Sequence, residues 1–221
     1  MATNTDPAGP WSLVVPLKPL ARAKSRLARA AGEDARPRLA LAFAQDTVAA
    51  ALACSRVRDV VVVTDDAVAA AALSALGARI VPDAPGAGLN AALAHGARSV
   101  RALRPAAAVA ALNADLPALR TGELARVLDF ASAFPNAFLR DAAGIGTTFL
   151  AAVSGAEFRP AFGGPSGARH LASGAVEIAL SGVDSVRRDV DTGEDLRVAL
   201  ALGVGSHTAR IATAPAPSRD R

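Results

Sequence analysis

The sequence predicts an α/β fold: a single domain built on an open, mostly parallel sheet with helices on both faces. Three observations predict it. Strand-like and helix-like segments alternate along most of the chain. Val60 to Val63 form an unbroken apolar run, the mark of a strand covered on both faces. The chain has 221 residues, 52% of them hydrophobic, which is enough to bury one sizeable core.

Each element has its own local reason. SLVVPL (12–17) is apolar and β-branched, a buried first strand. Residues 35–55 are rich in Ala and other strong helix formers and predict a long helix that includes Cys54. DVVVVTDD (59–66) is the second strand. Residues 67–77 form a helix closed by Gly77, and 78–83 the third strand. A helix over 88–103 leads to a buried strand over 106–117 that ends in an acidic turn. The helix over 120–134 has Thr121 as candidate N-cap and Glu123 in its first turn. Strands over 136–141 and 147–153 follow, joined by AAGIG. FGGPSGARHLAS (162–173) reads as a glycine-rich loop entering a short helix, and VRRDVDT (186–192) as extended chain. A closing helix spans 191–203, with Thr192 and Asp195 spaced somewhat like a capping box and Asp191 a second candidate cap. Residues 11–212 are the expected domain, with tails at 1–10 and 213–221.

Composition excludes several function classes. The net charge is +4, but Arg is interleaved with Asp and Glu, and no basic block is long enough for a nucleic-acid arm. Aromatic residues make up 4% and Tyr is absent, which leaves little for base stacking. The single cysteine, Cys54, makes neither an internal disulfide nor a zinc cluster and is read as a small core residue. The sequence has neither a long uncharged apolar stretch nor a signal-like start, so no membrane is expected and the cytoplasm is the expected compartment.

Ligands of open α/β sheets bind at the carboxyl ends of the strands, so the segments after each strand are the places to search. The first strand opens into Lys18, Arg22, Lys24, Arg26 and Arg29. Cations at a helix start oppose the macrodipole, so a nearby anion would explain them; the alternative is a solvated helix face. After the third strand, Gly86 and Gly88 precede a helix, as a ligand-cradling turn or an ordinary one. Asp115 stands after the fourth helix-flanked strand, where a carboxylate either holds a metal facing a phosphate or caps the turn. Asp189 and Asp191 are two apart, so an extended chain places both on one face. Thr147, Thr148 and Ser166 lie in small-residue loops whose amides and hydroxyls suit a phosphate or carboxylate. His170 is read as structural or supporting. Neither a Ser-His-Asp order nor a GxxxxGK[ST] stretch occurs. The inventory points to metal-assisted phosphoryl or nucleotidyl transfer, which rests on positioning and charge neutralisation.

Taken in order, VPLKPLARAKSRL, the helix motif from Arg38 to Thr47, GLNAAL, ADLPAL, GIGTT, FG-x-x-S-x-x-RH and DVDT-x-x-DL resemble the 2-phospho-L-lactate/phosphoenolpyruvate guanylyltransferase family of coenzyme F420 biosynthesis. The resemblance runs over roughly residues 11 to 202. It implies a glycosyltransferase-A-like nucleotidyltransferase, GTP as co-substrate, Mg²⁺ as cofactor and a small phosphorylated three-carbon acid as acceptor. Within the family the GIGTT and FG-x-x-S-x-x-RH pattern is similar to the branch that uses phosphoenolpyruvate. Position by position, it implies Thr148, Gly163 and Ser166 at the acceptor acid. Pro16, Lys18, Lys24, Gly88 and Asn90 fall on the nucleotide, with Lys18, Lys24 and Arg26 as the catalytic cations. Asp115 with Asp189 or Asp191 falls on the metal. FGGPSGARH departs from the family pattern and leaves Gly163 and Gly164 as alternatives, and AFLRDAAG leaves Asp141 without an assigned role. The missing G-x-G-T-R loop counts against a molybdopterin or sugar nucleotidyltransferase. The oligomeric state stays open, a homodimer included.

Overall fold

The computed structural model describes residues 10–22 and 35–212. Lys24, Arg26 and Arg29 lie outside the described residues, as do nearly all of the expected tails. Seven strands form one sheet: β1 (Trp11–Pro16), β2 (Val57–Val63), β3 (Arg79–Val81), β4 (Ala108–Leu112), β5 (Asn136–Arg140), β6 (Thr147–Ala152) and β7 (Val176–Glu177). Their spatial order is β3-β2-β1-β4-β6-β5-β7. The pairings β1–β2, β1–β4, β2–β3 and β5–β7 are parallel, whereas β6 runs antiparallel to both β4 and β5. The sheet is therefore mixed, with β6 the reversed strand.

Around it pack α1 (Ala35–Leu52), α2 (Ala67–Ala75), α3 (Leu89–Leu103), α4 (Thr121–Ala131), α5 (Ser166–Ala172), α6 (Asp184–Arg187), α7 (Gly193–Leu202) and α8 (Ser206–Ala212). The valine run of β2 explains the layering. Val60 and Val62 join Leu13, Val15 and Leu112 in a core against α1 and α4. Val61 and Val63 join Val14 and Ala111 in a second core against α3. Period-2 alternation thus gives both faces an apolar cover. Among the described residues, no helix is long and apolar enough to cross a membrane.

Several local expectations need correction. α1 stops at Leu52, and buried Cys54 lies in the turn after it, where its N–H reaches Ala51 O at 3.1 Å. Thr121 is the first residue of α4 and not its cap. Arg120 holds that position, and its N–H donates to Ser185 Oγ at 3.0 Å. Residues 186–187 are not extended but belong to α6. Glu123 accepts the N–H of Ser185 at 2.9 Å and so stabilises that helix start from a distant element. Thr192 and Asp195 do form a capping box on α7, with Thr192 rather than Asp191 as the cap. α8 was not foreseen. Buried Asp46 of α1 accepts the N–H groups of His207 (3.0 Å) and Thr208 (2.8 Å) and caps it from across the molecule.

Candidate active site

The chain order β1, β2, β3 runs outward on one side of β1, and β4 then returns to its other side. This reversal opens a crevice at the carboxyl ends of β1 and β4. Because β6 is reversed, its first residue, Thr147, reaches the same edge. A cavity of about 480 Å³ lies there, lined by segments that are far apart in the chain.

One wall is acidic. Asp115, Asp189 and Asp191 all border the cavity. No strand aligns the last two. Instead, the N–H of buried Val190 donates to the Asp115 carbonyl at 3.0 Å, which fixes the two acidic segments side by side. Thr47 of α1 braces the same turn from beneath. Its buried Oγ1 accepts the Leu116 N–H at 3.0 Å and lies 3.2 Å from the Ala114 carbonyl, so it grips the residues on either side of Asp115. Among the described residues, no three acidic, histidine or cysteine side chains stand close enough to enclose a metal ion by themselves.

The other wall is made of hydroxyls and glycines: Gly146, Thr147, Gly163, Gly164 and Ser166. Asp141 builds its first turn. Its carboxylate accepts the N–H groups of Ile145 (2.9 Å) and Gly146 (2.8 Å), and a Cβ on Gly146 would collide with it. Gly163 and Gly164 both have positive φ, 95° and 47°, a backbone that L side chains rarely adopt. Asn90 holds the approach to them: its Oδ1 accepts the Phe162 N–H at 2.8 Å and its Nδ2 donates to the Phe162 carbonyl at 3.1 Å.

Behind this wall sits His170, fully buried and in contact with the rings of Phe138 and Phe162. Its Nδ1 is 3.0 Å from Thr147 Oγ1, and its Nε2 accepts the Ala161 N–H at 3.0 Å. Ser166 Oγ donates to Thr147 Oγ1 at 3.1 Å. Burial, helped by the neighbouring Arg169 charge, lowers the His170 pKa to about 4, so the ring is neutral near pH 7.

The predicted residues thus divide. Pro16, Lys18, Asp115, Asp189, Asp191, Gly163 and Ser166 meet at one cavity. Lys18 is exposed and has no ion pair among the described residues. Thr148 does not line the cavity. It is fully buried at a register shift between β5 and β6, where Arg140 pairs with Thr147 and the pairing resumes at Leu139–Phe149. Thr147, its neighbour on the strand, faces the opposite side and lines the cavity. Gly88 stands at the N-cap of α3 outside the lining, which its neighbour Leu89 joins, and Asn90 serves the loop at Phe162.

Residues 11–212 match the family described as Guanylyl transferase CofC like. The chain belongs to that family. A phosphoenolpyruvate guanylyltransferase of Streptomyces avermitilis is 68% identical over 96% of this chain and 99% of its own length. One from Streptomyces coelicolor is 69% identical over 91% of this chain and 95% of its own. Among solved structures, a nucleotidyl transferase from Methanothermobacter superposes with a TM-score of 0.62 at 22% identity, covering 87% of this chain and 97% of that one. That likeness bears on the fold alone. In this CofC-like chain, sequence reasoning missed Asn113 as a cavity residue, named Thr147 among the loop hydroxyls but carried only Thr148 to the acceptor acid, and left Asp141 unassigned. For Asn113 a signal was present: it precedes Asp115 by two in the same strand-end turn.

Proposed function

We propose that the chain transfers GMP from GTP to the phosphate of phosphoenolpyruvate, giving enolpyruvyl-diphospho-guanosine and pyrophosphate. The observation that carries this reading is the near-full-length match to relatives that bear this name. The cavity supports it, since it sets an acidic wall against a hydroxyl-glycine wall and leaves a cation, Lys18, at its rim. The resemblance adds that the product feeds coenzyme F420 assembly. Both substrates are cytoplasmic metabolites, which sets the cytoplasm as the place of reaction.

The acidic wall fits Mg²⁺. Its carboxylates are hard oxygen donors, and Mg²⁺ takes one or two such groups together with substrate phosphates and water, so it needs no closed protein cage. Asp115 and Asp189, with Asp191 as the third candidate, would hold the ion, which when bound neutralises phosphate charge. The chain's own groups do the rest. Lys18, with Lys24 and Arg26, attracts the triphosphate. Thr147, Ser166 and the Gly163–Gly164 backbone orient the acid so that its phosphate oxygen faces the α-phosphorus. A bond forms between that oxygen and the α-phosphorus as the bond to pyrophosphate breaks. A general base is unnecessary, because the attacking oxygen is already ionised near neutral pH.

Purified protein is given GTP and Mg²⁺ with phosphoenolpyruvate, 2-phospho-L-lactate or 3-phosphoglycerate. Pyrophosphate release is followed and the product mass measured. Phosphoenolpyruvate is expected to give the highest kcat/KM. Absence of release with phosphoenolpyruvate overturns the reading.

A further inference from the structure

The hydroxyl wall contains a proton count that fixes its polarity. An amide N–H can only donate, so the 3.0 Å contact from Ala161 N requires a bare lone pair on His170 Nε2. The ring proton of the neutral imidazole then lies on Nδ1, which points at Thr147 Oγ1 3.0 Å away. Thr147 and Ser166 share one further hydrogen bond, at 3.1 Å. The two side chains hold two hydroxyl protons, and their mutual bond uses one. The other finds no acceptor among the described residues, and both side chains line the cavity. With the opposite tautomer, Nδ1 would accept that proton, and the pair would present only lone pairs to a ligand.

We infer that His170 is a positioning residue: its Nδ1–H saturates Thr147 from behind, and so commits the Thr147–Ser166 pair to donate a hydrogen bond to an anionic oxygen of the acceptor acid. The inference rests on the proposed function for the identity of that acid and adds the element that sets the polarity of its binding wall. Several features hold the ring in this orientation. Phe138 and Phe162 pack against it, tilted and edge-on, with centroids at 5.7 and 5.2 Å. The Ala161 amide selects the tautomer, and Asn90 fixes Phe162 next to it. Burial keeps the ring uncharged.

Two substitutions separate this role from a purely packing one. An Asn amide reaches where Nδ1 stands, and a Gln amide reaches where Nε2 stands. His170→Asn therefore keeps a donor for Thr147 and loses the bond to Ala161, while His170→Gln does the reverse. Steady-state kinetics of wild type and both variants are measured with GTP and phosphoenolpyruvate. Thermal midpoints are recorded alongside, and NMR of ¹⁵N-histidine-labelled wild type reads the tautomer. Expected are the Nδ1–H tautomer, a KM for phosphoenolpyruvate raised roughly ten- to hundredfold in His170→Gln, substantial recovery of that KM in His170→Asn, and no change in the KM for GTP in either. An Nε2–H tautomer, equal KM changes in the two variants, or a parallel rise for GTP overturns the inference while wild-type turnover leaves the functional reading standing. Absence of wild-type turnover with phosphoenolpyruvate removes that reading, and the inference falls with it. If a variant fails to fold, the tautomer of the wild type still decides.

Discussion

The two walls of the cavity are built by opposite means. The acidic wall is positioned through its backbone: Val190 pairs with the Asp115 carbonyl, and Thr47 grips Ala114 and Leu116. The hydroxyl wall is positioned through side chains, by way of His170, Ser166 and Thr147, with Asn90 on the loop. Backbone anchoring brings three carboxylate residues to one side of the cavity. Side-chain anchoring fixes the direction of individual protons. The first arrangement suits a charge to be neutralised, the second a small acid to be read group by group.

This contrast can be broken one wall at a time. Asp115→Asn removes charge from the acidic wall and leaves its backbone anchors in place. It is expected to lower kcat by about 10²–10³-fold with an unchanged circular-dichroism spectrum; near-normal pyrophosphate release would remove Asp115 from the chemistry. On the opposite wall, His170 titrates at about 4 when folded and near its ordinary 6.5 when unfolded. Below pH 6.5 the unfolded chain binds the extra proton, so stability is lost as pH falls from about 6.5 toward 4, by up to about 3 kcal/mol. Urea titrations across this range should show the loss in wild type and a smaller one in His170→Asn.

Thr47→Val tests the backbone anchor. It leaves the Leu116 N–H buried without its acceptor and should cost about 1–3 kcal/mol in chemical denaturation, with a lowered kcat as the Asp115 turn loosens. Lys18→Ala is the mildest change. Lys18 is exposed, so the KM for GTP should rise only about two- to fivefold. That difference should shrink at high salt, whereas the Asp115 effect should not.

How legible this was depends on the range of the cause. Six strands of the sheet followed from apolar runs, and the two-sided valines of β2 announced a doubly covered sheet, but the two-residue β7 was not among the expected strands. Asp115 was legible because a carboxylate just past a buried strand is already at the ligand edge. Thr147 and Thr148 look interchangeable as letters. Alternation along β6 puts them on opposite faces, and which of the two meets the cavity depends on how β6 is registered in the sheet, which is set by pairing between strands. α6 and α8 share this obscurity, since Glu123 and Asp46 supply their starts from distant helices. Asn90 was placed at the nucleotide by the resemblance alone, and nothing in its neighbours along the chain points to the bond that it makes. Its partner, Phe162, lies 72 residues away.

The clasp between Asp46 and the start of α8 has a consequence for the newborn chain. The residues that satisfy this carboxylate emerge from the ribosome about 160 residues after it. Domains made in N-to-C order ordinarily begin folding before synthesis ends. Here the Asp46 carboxylate must stay hydrated until α8 is made. Two segments far apart in the chain thereby finish folding together.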